Sequence, residues 1–303
     1  MSLAQSAMRK HRASAIAAIL IAVCSLTLPM PVDARDQPTD TGKLLLTNGA
    51  TSVEGSAGGG LATWAVIAGN GTRDAVGVSG HVTIVELPDY GWLSYGVSVG
   101  LYDRVELSYA RQNIDTLDVG AALGLGQGFT FNQDVFGAKL RLFGDAVYGD
   151  ALIPQVSVGV QHKRNADDAI VRAIGAGDDE GTDVYLTATK LFLSHSVLAS
   201  GTVRWTDANQ FGLLGFGAAG EGSGSLQFEG SLAYQLSRRL IIGGEYRSRP
   251  DNLALAREDD AYDLFAAWAM TRNVTVTTAY VDAGSIVGQS RQRGGYVSLQ
   301  LAF

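Results

Sequence analysis

Charged residues recur on the polar side of alternating segments. Arg104, Glu106, Lys139, Arg141, Lys163, Arg204, Glu229, Glu245, Arg247, Arg249 and Asp263 all lie opposite an apolar face. Both signs are present, which leaves two chemistries open. Rings of charge lining a pore select solutes. The same charges paired with one another make a salt-bridged interior that holds a barrel shut. Glu245, Arg247 and Arg249 run into Pro250-Asp251-Asn252, and Arg257-Glu258-Asp259-Asp260 returns on the far side of that loop. Bidentate Arg–carboxylate pairs there would pin the loop over the lumen; the alternative is a solvated charged loop.

Other residue types narrow the chemistry. His195 lies between Ser194 and Ser196 in a short turn, and His81 and His162 have no Ser/Asp partner within their own strand. No nucleophile–base–acid set is legible, so the chain is read as a non-enzyme with no catalytic residues. Asp178-Asp179-Glu180-Gly181-Thr182-Asp183, with Asp167 and Asp168, could collect oxygen ligands for a divalent cation. The spacing fits no calcium loop, and a solvated acidic loop is the preferred reading. Gly124, Gly126 and Gly128 mimic a phosphate-binding fingerprint without the strand and helix it needs. No metal and no cofactor is expected. Two loops are unusually apolar: Leu117 to Phe131, and Phe211 to Gly220 with Phe211, Leu213, Leu214 and Phe216. Folded into a lumen, they would narrow it and offer a greasy entry path for hydrophobic solutes. Otherwise they extend strands through a lipopolysaccharide layer.

Strands must position these residues. Leu226, Phe228, Leu232, Tyr234 and Leu236 share one face, while Gln227, Glu229, Ser231 and Gln235 share the other. Period two over some ten residues means a strand between two different environments. Thirteen further segments alternate less regularly or as well, and the spacing predicts strands over 44–54, 61–69, 75–86, 91–101, 104–112, 133–143, 153–163, 182–193, 196–206, 225–236, 239–249, 260–270, 273–282 and 294–303. Short turns near 102–103, 194–195, 237–238 and 271–273, with a longer one near 144–150, alternate with long stretches near 113–132, 164–181, 207–224, 250–259 and 284–293. The expected fold is all-β: a transmembrane antiparallel up-and-down β-barrel of about 14 strands, or 12 if the N-terminal segment plugs the lumen. A soluble sandwich is the rival, but proline is scarce, at 6 residues, for blunting open edges.

The chain ends on Val297, Leu299, Leu301 and Phe303, all on one face, with Ser298, Gln300 and Ala302 opposite. A closing strand facing lipid would read this way, and Phe303, Leu301 and Leu299 are expected to form the assembly signal. The N-terminus reads as a targeting segment over 1–34. Arg9, Lys10, His11 and Arg12 precede an apolar run, which ends at Pro29 and Pro31 before the Val32-Asp33-Ala34 cleavage site. Residues 35–43 would be a periplasmic lead and 44–303 the barrel. The one cysteine, Cys24, falls in the targeting segment, so the mature chain has no thiol chemistry. A net charge of −7 provides no footprint for nucleic acid.

Several strings resemble a bacterial family of unknown function with predicted outer-membrane-type barrels. They are Gly42-Lys43-Leu44-Leu45-Leu46-Thr47, Gly100-Leu101-Tyr102-Asp103-Arg104-Val105-Glu106-Leu107, Ala188-Thr189-Lys190-Leu191-Phe192, Asn209-Gln210-Phe211-Gly212, Glu245-Tyr246-Arg247-Ser248-Arg249-Pro250-Asp251-Asn252-Leu253 and Arg257-Glu258-Asp259-Asp260. The resemblance supports location and fold over about 42–303 and implies no reaction or ligand. The expected setting is the outer membrane of a Gram-negative-type bacterium, after removal of the signal peptide. The expected partners are the lipid bilayer, lipopolysaccharide and the outer-membrane assembly machinery. The leading functional reading is a passive channel or facilitator for small solutes. The alternatives are a transporter of hydrophobic compounds and a closed structural or surface-contact barrel.

Overall fold

The computed structural model describes residues 43–47, 51–150, 152–220, 224–254 and 257–303. The expected targeting segment over 1–34 and most of the expected lead over 35–43 lie outside the described residues. Twelve antiparallel strands close into one barrel in chain order: β1 (Val76–Glu86), β2 (Gly91–Leu101), β3 (Val105–Asp115), β4 (Thr130–Phe143), β5 (Gln155–Asn165), β6 (Glu180–Phe192), β7 (Val197–Thr206), β8 (Ser225–Ser237), β9 (Leu240–Arg247), β10 (Ala261–Ala269), β11 (Val274–Asp282) and β12 (Arg293–Ala302). Every strand pairs with its chain neighbour, and β12 closes on β1 from Ser79↔Ala302 to Glu86↔Gly295. Closure leaves no strand edge exposed to hydrocarbon.

Side-chain alternation sets which face points out. On β8, Leu226, Phe228, Leu232, Tyr234 and Leu236 are exposed while Glu229, Ser231 and Ala233 are buried. On β10, Tyr262, Leu264 and Trp268 point out; Asp263, Phe265 and Ala267 point in. Aromatic rings edge the outward apolar band at both ends. Toward the long loops they include Tyr109 packed on Phe136 and Tyr246 on Tyr262, each pair at 5.2 Å. Toward the short turns they include Tyr102, Phe143, Tyr234, Trp268 and Phe303. Outward ion pairs stand just beyond the first girdle, Arg111–Asp134 at 2.9 Å and Arg293–Asp282 at 2.6 Å. This is the surface of a transmembrane barrel.

The expected strands over 44–54 and 61–69 do not form. The segment from Thr51 to Gly69 instead sits inside the barrel as a plug, buried along almost its whole length. Its only regular pairing is two isolated bridges, Thr51↔Ala57 and Gly58↔Thr63. The count is therefore 12 with a plug. The physical reason is room. Eight strands leave an interior that side chains fill, and sixteen leave a water channel. Twelve leave space for a folded segment. Small plug residues let it approach the wall: a Cβ on Gly59 would land 1.7 Å from Oε1 of Glu245. On the wall, a Cβ on Gly100 would lie 2.2 Å from the Ala68 carbonyl.

The chain end is tied to both parts. Phe303 exchanges backbone hydrogen bonds with Val78 at 2.8 and 2.9 Å, and its carbonyl also accepts the Asn70 N–H at 2.9 Å. Its ring is 56% exposed on the outward face, with Leu301 and Leu299 half-buried on the same side. Deleting Phe303 is expected to lower the yield of membrane-inserted barrel several-fold, read as protease-resistant, heat-modifiable protein. A yield equal to wild type would show that the terminus is not an assembly signal.

Candidate functional site: the plugged lumen and its lid

The plug has little secondary structure of its own, yet it lies at membrane depth. Its backbone groups must find partners there, because an unpaired buried N–H or C=O is costly. The inward side chains of the wall supply them. Glu106 accepts the N–H of Ala57 at 3.1 Å and of Ala68 at 2.8 Å. Glu245 accepts Leu61 N–H and Glu229 accepts Thr63 N–H, both at 2.7 Å. Carbonyls are met by cations and amides. Lys139 donates to Ala57, Trp64 and Val66 at 3.2, 3.0 and 2.8 Å. Gln112 and Ser94 both reach Val53, and Gln155 and Ser157 both reach Ala65. The wall thus reads the plug chiefly through its backbone.

Glu54 is the one charged side chain between Thr51 and Gly69. It is fully buried and meets three cations. Arg247 forks onto it at 2.8 and 3.0 Å, Lys163 bonds it directly, and Arg204 lies 3.7 Å away. The three cations supply the counter-charge that a carboxylate withdrawn from water needs. The network runs on around the wall. Lys163 pairs with Asp183 at 2.8 Å, and Arg204 with Asp183 at 3.1 Å and Glu229 at 2.6 Å. Tyr185 lies 4.8 Å beneath the Arg204 guanidinium. Glu245 and Asp263 face each other across β9 and β10 and, among the described residues, belong to no ion pair. Ser231 donates to Glu245 at 2.6 Å; Oδ1 of Asp263 has no hydrogen-bond partner.

The polar-face residues therefore divide. Glu106, Lys139, Lys163, Arg204, Glu229, Glu245, Arg247 and Asp263 surround the plug. Arg141 sits at the turn end, paired with Asp103 and with Asp145 at 3.0 Å, beside Lys43–Asp103 at 3.0 Å. Arg104 is exposed and does not line the lumen. It belongs to the β2–β3 turn, where Tyr102 and Asp103 adopt positive φ and the strand alternation breaks. Arg249 lies at the loop end. Asp183 and Glu54 went unassigned to the lumen. Asp183 follows the alternation of β6 and was legible there; Glu54 sits in a segment with no alternation to read.

The loop end is closed by a lid, residues 207–217. Phe211, Leu213, Leu214 and Phe216 fold inward and are buried. A short 3-10 turn (Asn209–Gly212) carries Gln210 and Phe211 at φ 47° and 63°, left-handed values that strain non-glycine residues. Surrounding contacts hold them there. Both Glu258 oxygens accept the Gln210 N–H, at 2.9 and 3.0 Å. Arg249 donates to Oε1 of Gln210 at 2.8 Å, and Gln133 to the Phe211 carbonyl at 3.0 Å. The Phe211 ring lies 4.5 Å from the Arg247 guanidinium carbon, 5.4 Å from that of Arg249 and 5.5 Å from the Trp92 ring. In the other apolar loop, a helical turn α1 (Val119–Ala122) buries Val119 and leaves Leu123 exposed. The acidic loop, with its short helix α2 (Asp168–Ala173), closes on a cation of its own chain: Arg172 pairs with Asp168, Asp178 and Asp179. His81 meets Ser94 across β1 and β2 at 3.1 Å, but that serine donates to the plug carbonyl of Val53.

Two measurements follow from these contacts. Glu54→Ala would strand Lys163, Arg247 and Arg204 without their shared anion and is expected to cost about 3–5 kcal/mol. Asp263→Asn relieves two acidic groups set opposite each other and should be neutral or stabilising by about 1 kcal/mol. Thermal unfolding of the detergent-solubilised barrel reads both, and equal losses would refute the asymmetry. The lid should also respond to pH. Burial pushes Glu258 up to about 8, with Arg249 opposing. An undocked glutamate titrates near 4.5, so the docked lid holds a proton that the free lid releases. Docking is then strongest below about pH 4.5 and weakens as pH rises toward 8. A spin label at Ala219, exposed just past the lid, should become more mobile between pH 6 and pH 9, and unchanged mobility would contradict the assignment.

The solved structures to which the chain is similar are barrels. The KdgM porin superposes with a TM-score of 0.50 at 10% identity, covering 74% of this chain and 99% of that one. The NanC porin gives 0.45 at 12% identity over 76% and 99%. Outer membrane phospholipase A from Escherichia coli gives 0.42 at 8% identity over 74% and 89%. At such identities the likeness is one of fold, and it rests on the KdgM porin. No curated protein matches the chain. The model of the family described as "Protein of unknown function (DUF3034)" matches residues 47–300, and the chain belongs to that family.

Proposed function

We propose that this protein is an outer-membrane channel for small solutes that conducts only when its own plug is displaced. One observation carries the reading: the plug is held by polar side chains acting on its backbone, contacts that water can replace group for group. From Thr51 to Gly69 glycine, alanine, serine and threonine predominate, and the larger apolar side chains Val53, Leu61, Trp64, Val66 and Ile67 are buried beside those polar contacts. The passive open channel expected from the sequence thus becomes a gated one, since the plug occupies the lumen between the ion-paired walls. Insertion through the assembly machinery, contact with lipopolysaccharide at the loop end and removal of the targeting segment belong to the same reading. We assign no catalysis: the His81–Ser94 pair has no carboxylate behind it and its serine is spent on the plug.

Planar-bilayer recording tests this. Wild type should be almost silent. Glu54→Gln should raise the frequency of openings at least about tenfold, since it weakens the anion that gathers three buried cations. Gly55→Cys with Ala110→Cys sets two side chains against each other across plug and wall, since a Cβ on Gly55 would lie 2.9 Å from that of Ala110, in a chain whose one natural cysteine is Cys24. The oxidised double variant should be closed and should recover on reduction. If neither variant conducts under any voltage, the barrel is a closed structural one.

A further inference from the structure

We infer that the slot now filled by the Phe211 ring is a binding site for an aromatic carboxylate, and that the lid occupies it as an internal mimic. The inference deepens the channel reading by naming a solute class for the loop-end mouth. It starts from what the lid brings to the wall. Phe211 brings a ring against two guanidinium faces and an indole, at 4.5, 5.4 and 5.5 Å. Its neighbour Gln210 brings a carbonyl oxygen to Nη1 of Arg249 at 2.8 Å. A ring plus an oxygen acceptor is also what an aromatic carboxylate presents.

The wall is equipped for more than the lid supplies. In-plane donors of Arg247 are taken by Glu54 and the Leu61 carbonyl, which leaves its face for a ring. Arg249 is tied to the carbonyls of Asp259 and Ala283, so its guanidinium stays in place when Gln210 leaves. Trp92 is 94% buried, and its Nε1–H has no hydrogen-bond partner although its ring packs on Phe211. Such an orphan donor is rare in a satisfied core. The lid leaves it unused. Cation–π attraction favours a ring over a saturated cycle of equal size, and the charge-assisted bond to Arg249 favours a carboxylate over an alcohol. The left-handed pair Gln210–Phe211 shows that the lid reaches this slot under backbone strain, which a free ligand would not carry.

Titration calorimetry on the full-length protein in detergent tests the site, with benzoate, cyclohexanecarboxylate and benzyl alcohol as probes. Phe211→Ala vacates the slot and should bind benzoate at least tenfold tighter than wild type. The same variant should bind the other two probes at least tenfold more weakly than benzoate. Adding Arg249→Gln should abolish benzoate binding, and adding Trp92→Phe should weaken it about threefold. Equal affinity for benzoate and cyclohexanecarboxylate, or no benzoate binding by a folded Phe211→Ala barrel, overturns the proposal. Should that variant not fold, a spin label at the exposed Ala219 in the otherwise wild-type chain serves: millimolar benzoate, but not cyclohexanecarboxylate, should mobilise the lid, and an unmoved lid overturns it. Binding without any conductance from the plug variants would refute the channel and leave the site standing; conductance without binding would do the reverse.

Discussion

A stretch of irregular backbone at membrane depth needs a partner for nearly every N–H and C=O. That constraint organises the rest of the molecule. The wall answers with carboxylates for the plug's N–H groups and with ammonium, amide and hydroxyl donors for its carbonyls. Each such bond has a modest net value, but leaving its buried partner unpaired is expensive. The charges in the lumen are therefore intelligible as the plug's hydrogen-bonding shell. Their mutual ion pairs follow, because a carboxylate or ammonium withdrawn from water needs a counter-charge as well as hydrogen bonds.

Barrel size and plug composition are two sides of one fit. Twelve strands enclose more volume than their own side chains fill. The inserted segment is built of small residues, so its backbone comes within hydrogen-bonding distance of the wall. Glu54 is its one charged residue, and it stands where Lys163, Arg204 and Arg247 converge. The attachment is uneven around the circumference. From β3 to β9 the plug meets charges that are mostly ion-paired, whereas on β10 to β12 it meets Asp263, Thr277 and Tyr296, and Gln300 reaches the Thr51 carbonyl at 3.5 Å. The ion pairs are thus gathered on one side of the plug.

Most of this architecture is legible in the sequence because a transmembrane strand writes its two environments as a period of two. The strands from β1 to β12 lie within a few residues of where the alternation places them. The parity also identifies nearly all the interior charges. It fails where alternation fails. Arg104 looks inward by parity and is exposed, since it stands in the turn after left-handed Tyr102 and Asp103, outside β3. Leu44-Leu45-Leu46 and the small-residue run after it look like strands because a plug buried on all sides is also apolar throughout. The plug's contacts are made by its backbone, which carries no residue-specific signature, so only its glycine run hints at them. The lid's inward fold was one of two open readings of Phe211 to Gly220, and apolar composition alone does not choose between burial and extension.

Plug and lid are coupled through Arg247. Its in-plane donors hold Glu54 of the plug, and its face carries Phe211 of the lid. One guanidinium thus joins the obstruction inside the barrel to the cover over its mouth. When the lid is docked, the ring helps fix the plane of Arg247 and thereby the fork onto Glu54. On the gated-channel reading, a lid that lifted would remove a support from that fork and admit water beside it. Ion pairs weaken as water reaches them, so an opened mouth would lower the cost of moving the plug. The two closures are arranged in series and are not independent: the outer one protects the inner one from solvent. A molecule that displaced Phe211 and took its place on the same guanidinium would restore the support from the outside, which separates binding at the mouth from release of the plug as two distinct events.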